Sequence, residues 1–192
     1  MKKALIGYGG HAREVMVQMG MKLTCFVDDQ YANYDDGTIP LSSFNPKEYA
    51  VMIAIADPRT RFEIHQKLPK DTKYFTFIHP TALIMGDVEI GEGSFIGAYS
   101  VLTTNIKIGN HAILNRSNHI GHDCTIGSYF SAMPGSIVSG NVTIYDCVYL
   151  GTNSSIKEKL SIHSLSTIGL NSGVVNNIEG VGTYGGTPAI KL

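Results

Sequence analysis

An aliphatic residue recurs at every sixth position from Ile78 to Val174, glycine often follows it, and the first 75 residues alternate short strands with helices. Together these predict a Rossmann-like α/β half-domain over residues 1–75 and a left-handed parallel β-helix of hexapeptide repeats over residues 76–192.

In the first part, Lys3 to Ile6 reads as a short apolar strand ending at Gly7-Tyr8-Gly9-Gly10, and His11 to Met19 has helical spacing through Val15 and Met19. Leu23 to Val27 reads as a second strand, stopped by Asp28-Asp29, and Ala50 to Ala56 as a third. Phe62 to Leu68 reads as a helix between Pro58 and Pro69, and Tyr74 to Phe77 as a last strand feeding the repeat. This order predicts a parallel sheet about half the size of a full dinucleotide-binding domain.

From Ile78 to Glu179, seventeen successive hexads follow without insertion. A chain that turns a corner every six residues lays short strands on the three faces of a prism, so three hexads close one coil and residues eighteen apart stack. The aliphatic position fills the interior. Ala82, Ser94, Ser100, Ala112, Cys124 and Ser136, at the fifth position, are small enough for a tight corner, and glycines such as Gly91 and Gly121 take turn dihedrals that a Cβ resists. An amphipathic helix has the wrong period, and an antiparallel sandwich would show period two.

The 192-residue chain carries a formal charge of −1, with Lys67, Lys70 and Lys73 its nearest approach to a basic cluster, which disfavours nucleic acid. Its three cysteines, Cys25, Cys124 and Cys147, are an odd number in no C-x-x-C pattern, suited to a reducing compartment and to burial as small apolar groups. Glycines interrupt the apolar run of MKKALIGYGG well short of a signal-peptide core or a membrane span, so a soluble, cytoplasmic protein is expected.

The first βα turn, Gly7-x-Gly9-x-x-Ala12 with Asp28 and Asp29 downstream, is a loose dinucleotide fingerprint. Glycines let backbone approach a phosphate, a helix N-terminus offers it amides and a positive dipole, and the acids stand where a ribose or base would be held. Half a Rossmann fold suits a mononucleotide better than a nicotinamide dinucleotide. A purely structural tight turn is the alternative.

In the repeat the unusual run is Asn115 to Cys124. His122 alone among seven histidines precedes a carboxylate, and it falls at a third hexad position, near an outward corner. Its stacked neighbours are Thr104 and Gly140, the latter leaving room and an open backbone amide beside the imidazole. A free imidazole titrates at about pH 6.5, so a neutral one can take a proton from an amine or hydroxyl, and an adjacent carboxylate fixes its tautomer. A surface histidine beside a turn aspartate is the plain alternative. A metal would need His119 and His122 to converge with His111 or His163, and none is expected. Cys124 falls inside the prism as an inert thiol, and Ser117 and Ser131 lack the spacing of a serine–histidine pair.

With these features the chain resembles the bacterial hexapeptide-repeat sugar acetyltransferases, the group of sialic-acid O-acetyltransferases and bacillosamine and perosamine N-acetyltransferases. The likeness covers nearly all of the chain and shows in GYGGHAREV at 7–15, FVDD at 26–29, AIADPRTR at 54–61, IHP at 78–80, ILN at 113–115, IGHDCTIG at 120–127, PGS at 134–136, SGNV at 139–142 and GGTPA at 185–189. The resemblance implies a homotrimer, with acetyl-CoA lying along the β-helix at a subunit boundary and a nucleotide-sugar held by the α/β domain. It implies His122 as general base toward the 4-amino group of a 4-amino-4,6-dideoxysugar, oriented by Asp123. By the same likeness Gly7, Gly9, Gly10 and His11 lie near the phosphates, Asp28 and Asp29 near the nucleoside, and Arg61 and Asn115 on the substrate side. Ser131, Gly140, Gly151 and Gly169 fall on the coenzyme side, where a backbone amide would stabilise a developing oxyanion. The chain departs from its relatives at Ser131, where they commonly carry a second histidine, and at Ala56, where they commonly carry glycine.

O-acetylation of a sialic acid or similar sugar is the runner-up within the family. From other classes, a zinc-dependent β-helix lyase of the carbonic anhydrase type leaves the α/β domain without a role, and a nicotinamide oxidoreductase leaves the β-helix unexplained. A scaffold would use the coils only as surface.

Overall fold

The computed structural model describes residues 1–192, apart from the side chain of Tyr34. Five parallel strands open the chain: β1 (Lys2–Ile6), β2 (Thr24–Val27), β3 (Thr38–Pro40), β4 (Tyr49–Ile53) and β5 (Lys73–Tyr74), side by side in the order β3-β2-β1-β4-β5. Ala4, Leu5 and Ile6 of the central strand are all buried, as a parallel sheet covered on both faces requires. Strand β3 was not foreseen: it is three residues long, and Pro40 suits only its edge position.

Helix α1 (Gly10–Met19) buries Ala12 and Val15 and stops at Gly20, whose left-handed φ of 67° a side chain would resist. Helix α2 (Pro58–Lys67) starts four residues before the expected Phe62, because Asp57 accepts a hydrogen bond from the Thr60 amide at 2.7 Å and Pro58 is prearranged for the first turn.

The rest is a three-faced prism. Parallel pairs of short strands join residues eighteen apart: Ile78 with Ile96 on the first face, Leu102 with Ile120 on the second, Ile108 with Ile126 on the third. The sixth-position aliphatics, among them Leu114, Ile120, Ile144 and Ile168, form one buried column. Corners turn through left-handed residues, including Ser117, Asp123 and Tyr129, all at φ 59°. The hexads do not run unbroken to Glu179. Ile178 bridges Ile162 and Tyr184 pairs with Ile168, sixteen residues apart, so the last turn is two residues short before an antiparallel return at Ile190–Lys191 closes the prism.

The α/β unit covers the first face, where Phe95 and Ile113 join Leu5, Ala12, Val15 and Met52 in one apolar cluster. The second face stays open, with Leu83 52% and Ile137 45% exposed. Among the described residues, no helix is long and apolar enough to cross a membrane.

Candidate active site

His122 stands at the corner between the second and third faces, just beyond the strand His119–Ile120. Gly121 lets the coils close there, since a Cβ on it would fall 2.7 Å from the Gly140 amide nitrogen. Nδ1 of His122 lies 2.6 Å from Oδ2 of Asp123, and Oδ1 of the same carboxylate accepts a hydrogen bond from Nδ2 of Asn105 at 2.5 Å. The Asn105 hydrogen bond, and then the one from His122, hold the Asp123 carboxyl below the usual range, so it is an anion at neutral pH. An anionic partner makes Nδ1 the donor and leaves the lone pair on Nε2. Gly140, one coil on, faces that nitrogen, and Gly151 and Gly169 sit instead at the corner between the first and second faces. Gly151 is packed between coils, where a Cβ would meet the Leu170 amide at 2.6 Å.

A cavity of about 500 Å³ opens over the C-terminal ends of β1 and β2, lined by Gly7, Tyr8, Gly9, Asp28, Thr60 and Lys67 among others. Gly7 holds φ 106°, which a side chain would resist, and a Cβ there would crowd Ile55 at 3.0 Å, whereas Gly9 and Gly10 have nothing within 4 Å of a Cβ position. The first turn of α1 carries no acidic residue and no side-chain cap, so its amides remain open to an anion. Asp28 lines this cavity. Asp29 does not: its carboxylate accepts a hydrogen bond from the Ser42 amide at 3.0 Å and holds the loop after β2.

A second hollow, about 430 Å³, lies between α1 and the corner of the first and second faces, with Gly10, Glu14, Ala98, Tyr99 and Arg116 in its wall. Glu14 pairs with Arg116 at 3.0 Å and accepts from Asn115 at 3.3 Å. Asn115, itself buried, therefore braces the acid that faces the hollow.

Three expected site residues belong to the seam between the two parts. Arg61 is fully buried: Nε donates to the His111 carbonyl at 2.8 Å, and Nη2 to the Tyr129 carbonyl and to Ser131 Oγ, each at 2.8 Å. Burial pulls its pKa down to about 9, which still leaves it charged. It clamps the domains and cannot touch a substrate. Ser131, equally buried, donates to the Ala56 carbonyl at 2.7 Å, so its hydroxyl is committed to the same clamp and does not face a coenzyme. His11 packs edge-on against Phe95, 5.6 Å between centroids, and does not line the cavity over β1 and β2. Desolvation, then the Arg61 charge, lowers its pKa to about 4. The seam also holds His65, Tyr74, His111 and Tyr129, with His111 stacked on Tyr129 at 5.4 Å and His65 Nδ1 meeting the Tyr129 hydroxyl at 2.5 Å. None of this was readable from residue spacing. Asn105 was: it stands eighteen residues before Asp123. Among the described residues, no group of three or more potential ligands could hold a metal.

Hexad coils with a histidine–carboxylate pair at one corner, docked on another face to an α/β unit that carries a glycine-turned cavity, are the build of an acyltransferase. Residues 2–68 match the PglD N-terminal domain and residues 75–104 the bacterial transferase hexapeptide (six repeats). The chain is 28% identical over 171 residues to a GDP-perosamine N-acetyltransferase of Escherichia coli O157:H7, covering 80% of this chain and 77% of that one. It superposes on WeeI from Acinetobacter baumannii AYE at a TM-score of 0.89, 29% identical over the whole of both chains. The acetyltransferase domain of PglB from Neisseria gonorrhoeae FA1090, in complex with acetyl coenzyme A, is 25% identical with a TM-score of 0.85, covering 100% of this chain and 98% of that one. The chain thus pairs a PglD-type N-terminal domain with hexapeptide repeats and is similar along its length to bacterial acetyltransferases of that build.

Proposed function

We infer that the protein transfers acetyl from acetyl-CoA to the 4-amino group of a nucleotide-linked 4-amino-4,6-dideoxysugar, with His122 as general base. The carrying observation is the His122–Asp123 pair: with Nδ1 held by the carboxylate, Nε2 is free to take a proton from the attacking amine. Asp123 then stabilises the imidazolium. Acetyl-CoA supplies the thioester, and the glycine at 140 lets the imidazole lie against the next coil.

The nucleotide fits the 500 Å³ cavity, phosphates toward the open amides of Gly9 and Gly10 and the ribose toward Asp28. The sugar then extends toward the hollow with Glu14 and Arg116. That hollow and His122 lie at different corners of the prism, so one chain does not bring the two together. A homotrimer joined through the open second face, beside which His122 stands, supports transfer between a sugar on one subunit and a base on the next. Three free, buried cysteines fit a cytoplasmic setting.

The test is a panel of UDP-, GDP- and dTDP-linked 4-amino sugars with acetyl-CoA, read by release of free thiol. At least one should turn over, and His122→Ala should lower its kcat by about 100-fold or more with the fold retained. Wild-type turnover in that variant would remove His122 from the reaction. Failure of every amino sugar alongside acetylation of a free sialic acid would establish O-acetylation instead. Light scattering should give the mass of three chains.

A further inference from the structure

We propose that Asn105 is a positioning residue for the acyl transfer, fixing Asp123 so that Asp123 can fix His122. This rests on the reading of His122 as the base. Asn105 and Asp123 occupy the same corner in adjacent coils, tied by the Asp123 amide donating to the Thr104 carbonyl at 3.1 Å. Each oxygen of the Asp123 carboxylate has its own partner: Oδ1 accepts from Asn105 Nδ2 and Oδ2 from His122 Nδ1.

Two attachments stop the carboxylate from rotating about its Cβ–Cγ bond. One would not, since the Asp123 and His122 side chains are 43% and 58% exposed and water competes for both. Asn105 also favours the ionised form of Asp123, because its amide hydrogen bond is stronger to a carboxylate than to the neutral acid. A neutral Asp123 could donate to Nδ1, pinning the proton on the wrong nitrogen and filling the role of Nε2 with an N–H.

The competing account is conformational. Asn105 has φ 52°, a region where asparagine, aspartate and glycine are tolerated, and Asn141 and Asn153 occupy similar corners at φ 59° and 55°. Conformation alone explains a residue of this class. It does not explain an amide aimed at the one carboxylate that touches the imidazole.

Asn105→Gly separates the two accounts, because glycine keeps the corner and deletes the amide. Its kcat should fall about tenfold, equivalent to about 1.4 kcal/mol, with KM for both substrates within about twofold. In an Asp123→Asn background the same change should cost nothing further, since the group it positions has gone. Asn105→Asp is the second variant. At pH 8 two carboxylates would face each other and the loss should exceed that of glycine, while at pH 6 a proton shared between them restores a donor and the deficit relative to wild type narrows. Unchanged kcat in Asn105→Gly, an equal loss in the Asp123→Asn background, or a rise in KM in place of the fall in kcat overturns the proposal. A fully active His122→Ala would instead overturn the reading beneath it, so the two failures are told apart.

Discussion

The imidazole of His122 lies against Gly140 of the next coil, so close that a Cβ built there would fall 2.6 Å from Nε2 and 2.7 Å from Cε1. Gly140→Ala must therefore push the ring aside. Because the obstructed atoms are the far end of a flexible side chain, the fold should tolerate the change, with the thermal midpoint moving by less than about 2 °C. The kcat should drop at least about tenfold. An alanine variant with unaltered kcat would show that the ring's position does not matter to transfer.

Arg61→Met should damage stability and spare substrate recognition. The clamp serves the carbonyls of Ile55, Ala56, His111, Tyr129 and Phe130 at once, and methionine leaves those of Ile55, His111 and Tyr129 unpaired inside the seam. Breaking a buried charged network costs about 3–5 kcal/mol, or roughly 10 °C in Tm for a chain of this size. Calorimetry and substrate titration together decide: a higher KM at an unchanged Tm would return Arg61 to the substrate site.

Acid should loosen the same seam. An unfolded histidine takes up its proton at about pH 6.5. Folded His11 resists until about 4 and His111 until about 3, both chiefly through desolvation. In that window the unfolded chain binds more protons than the folded one, so stability is full above about pH 6.5 and is lost as pH falls toward 4. Other groups meet these rings: His65 and Tyr74 at His111, Glu14 at His11, and Arg61 at both. Melting curves should drop by about 5 °C between pH 7 and 5.5, and His111→Phe should flatten that slope; a wild-type Tm constant over this range counts against buried neutral histidines.

Asp28 and Asp29, neighbours in the chain, should behave differently. Asp28→Ala removes a wall of the 500 Å³ cavity and, with the nucleotide bound there as proposed, should raise KM for the nucleotide-sugar about tenfold at constant kcat, the signature of lost ground-state binding. Asp29→Ala frees the Ser42 amide and should leave KM within about twofold. Equal effects in steady-state kinetics would undo the distinction.

The β-helix was legible because its interior admits only aliphatic side chains at one period, and the stacking that follows put Gly140 beside His122 before any coordinates. The same count, taken eighteen residues back from Asp123, lands on Asn105. Arg61 was illegible for a physical reason: a cation among polar neighbours on a short helix resembles a solvated surface, and only the docked third corner, with its upturned carbonyls at His111 and Tyr129, shows why the charge is buried. His11 follows the glycine turn in sequence, yet the helix rotates it away from the cavity and onto Phe95. Ser131 carries no local sign of its bond to Ala56, seventy-five residues away.

The eighteen-residue coil also sets an arithmetic for change by insertion and deletion. Adding six residues anywhere between Asp123 and Gly140 would carry everything beyond it round by one face, taking Gly140 off the imidazole while leaving the aliphatic column intact. Adding eighteen would return each position to its own face, one strand spacing of about 4.8 Å farther along. Such a chain can lengthen without losing its core. It keeps its chemistry only when it lengthens by whole coils placed outside the stretch from Asn105 to Gly140.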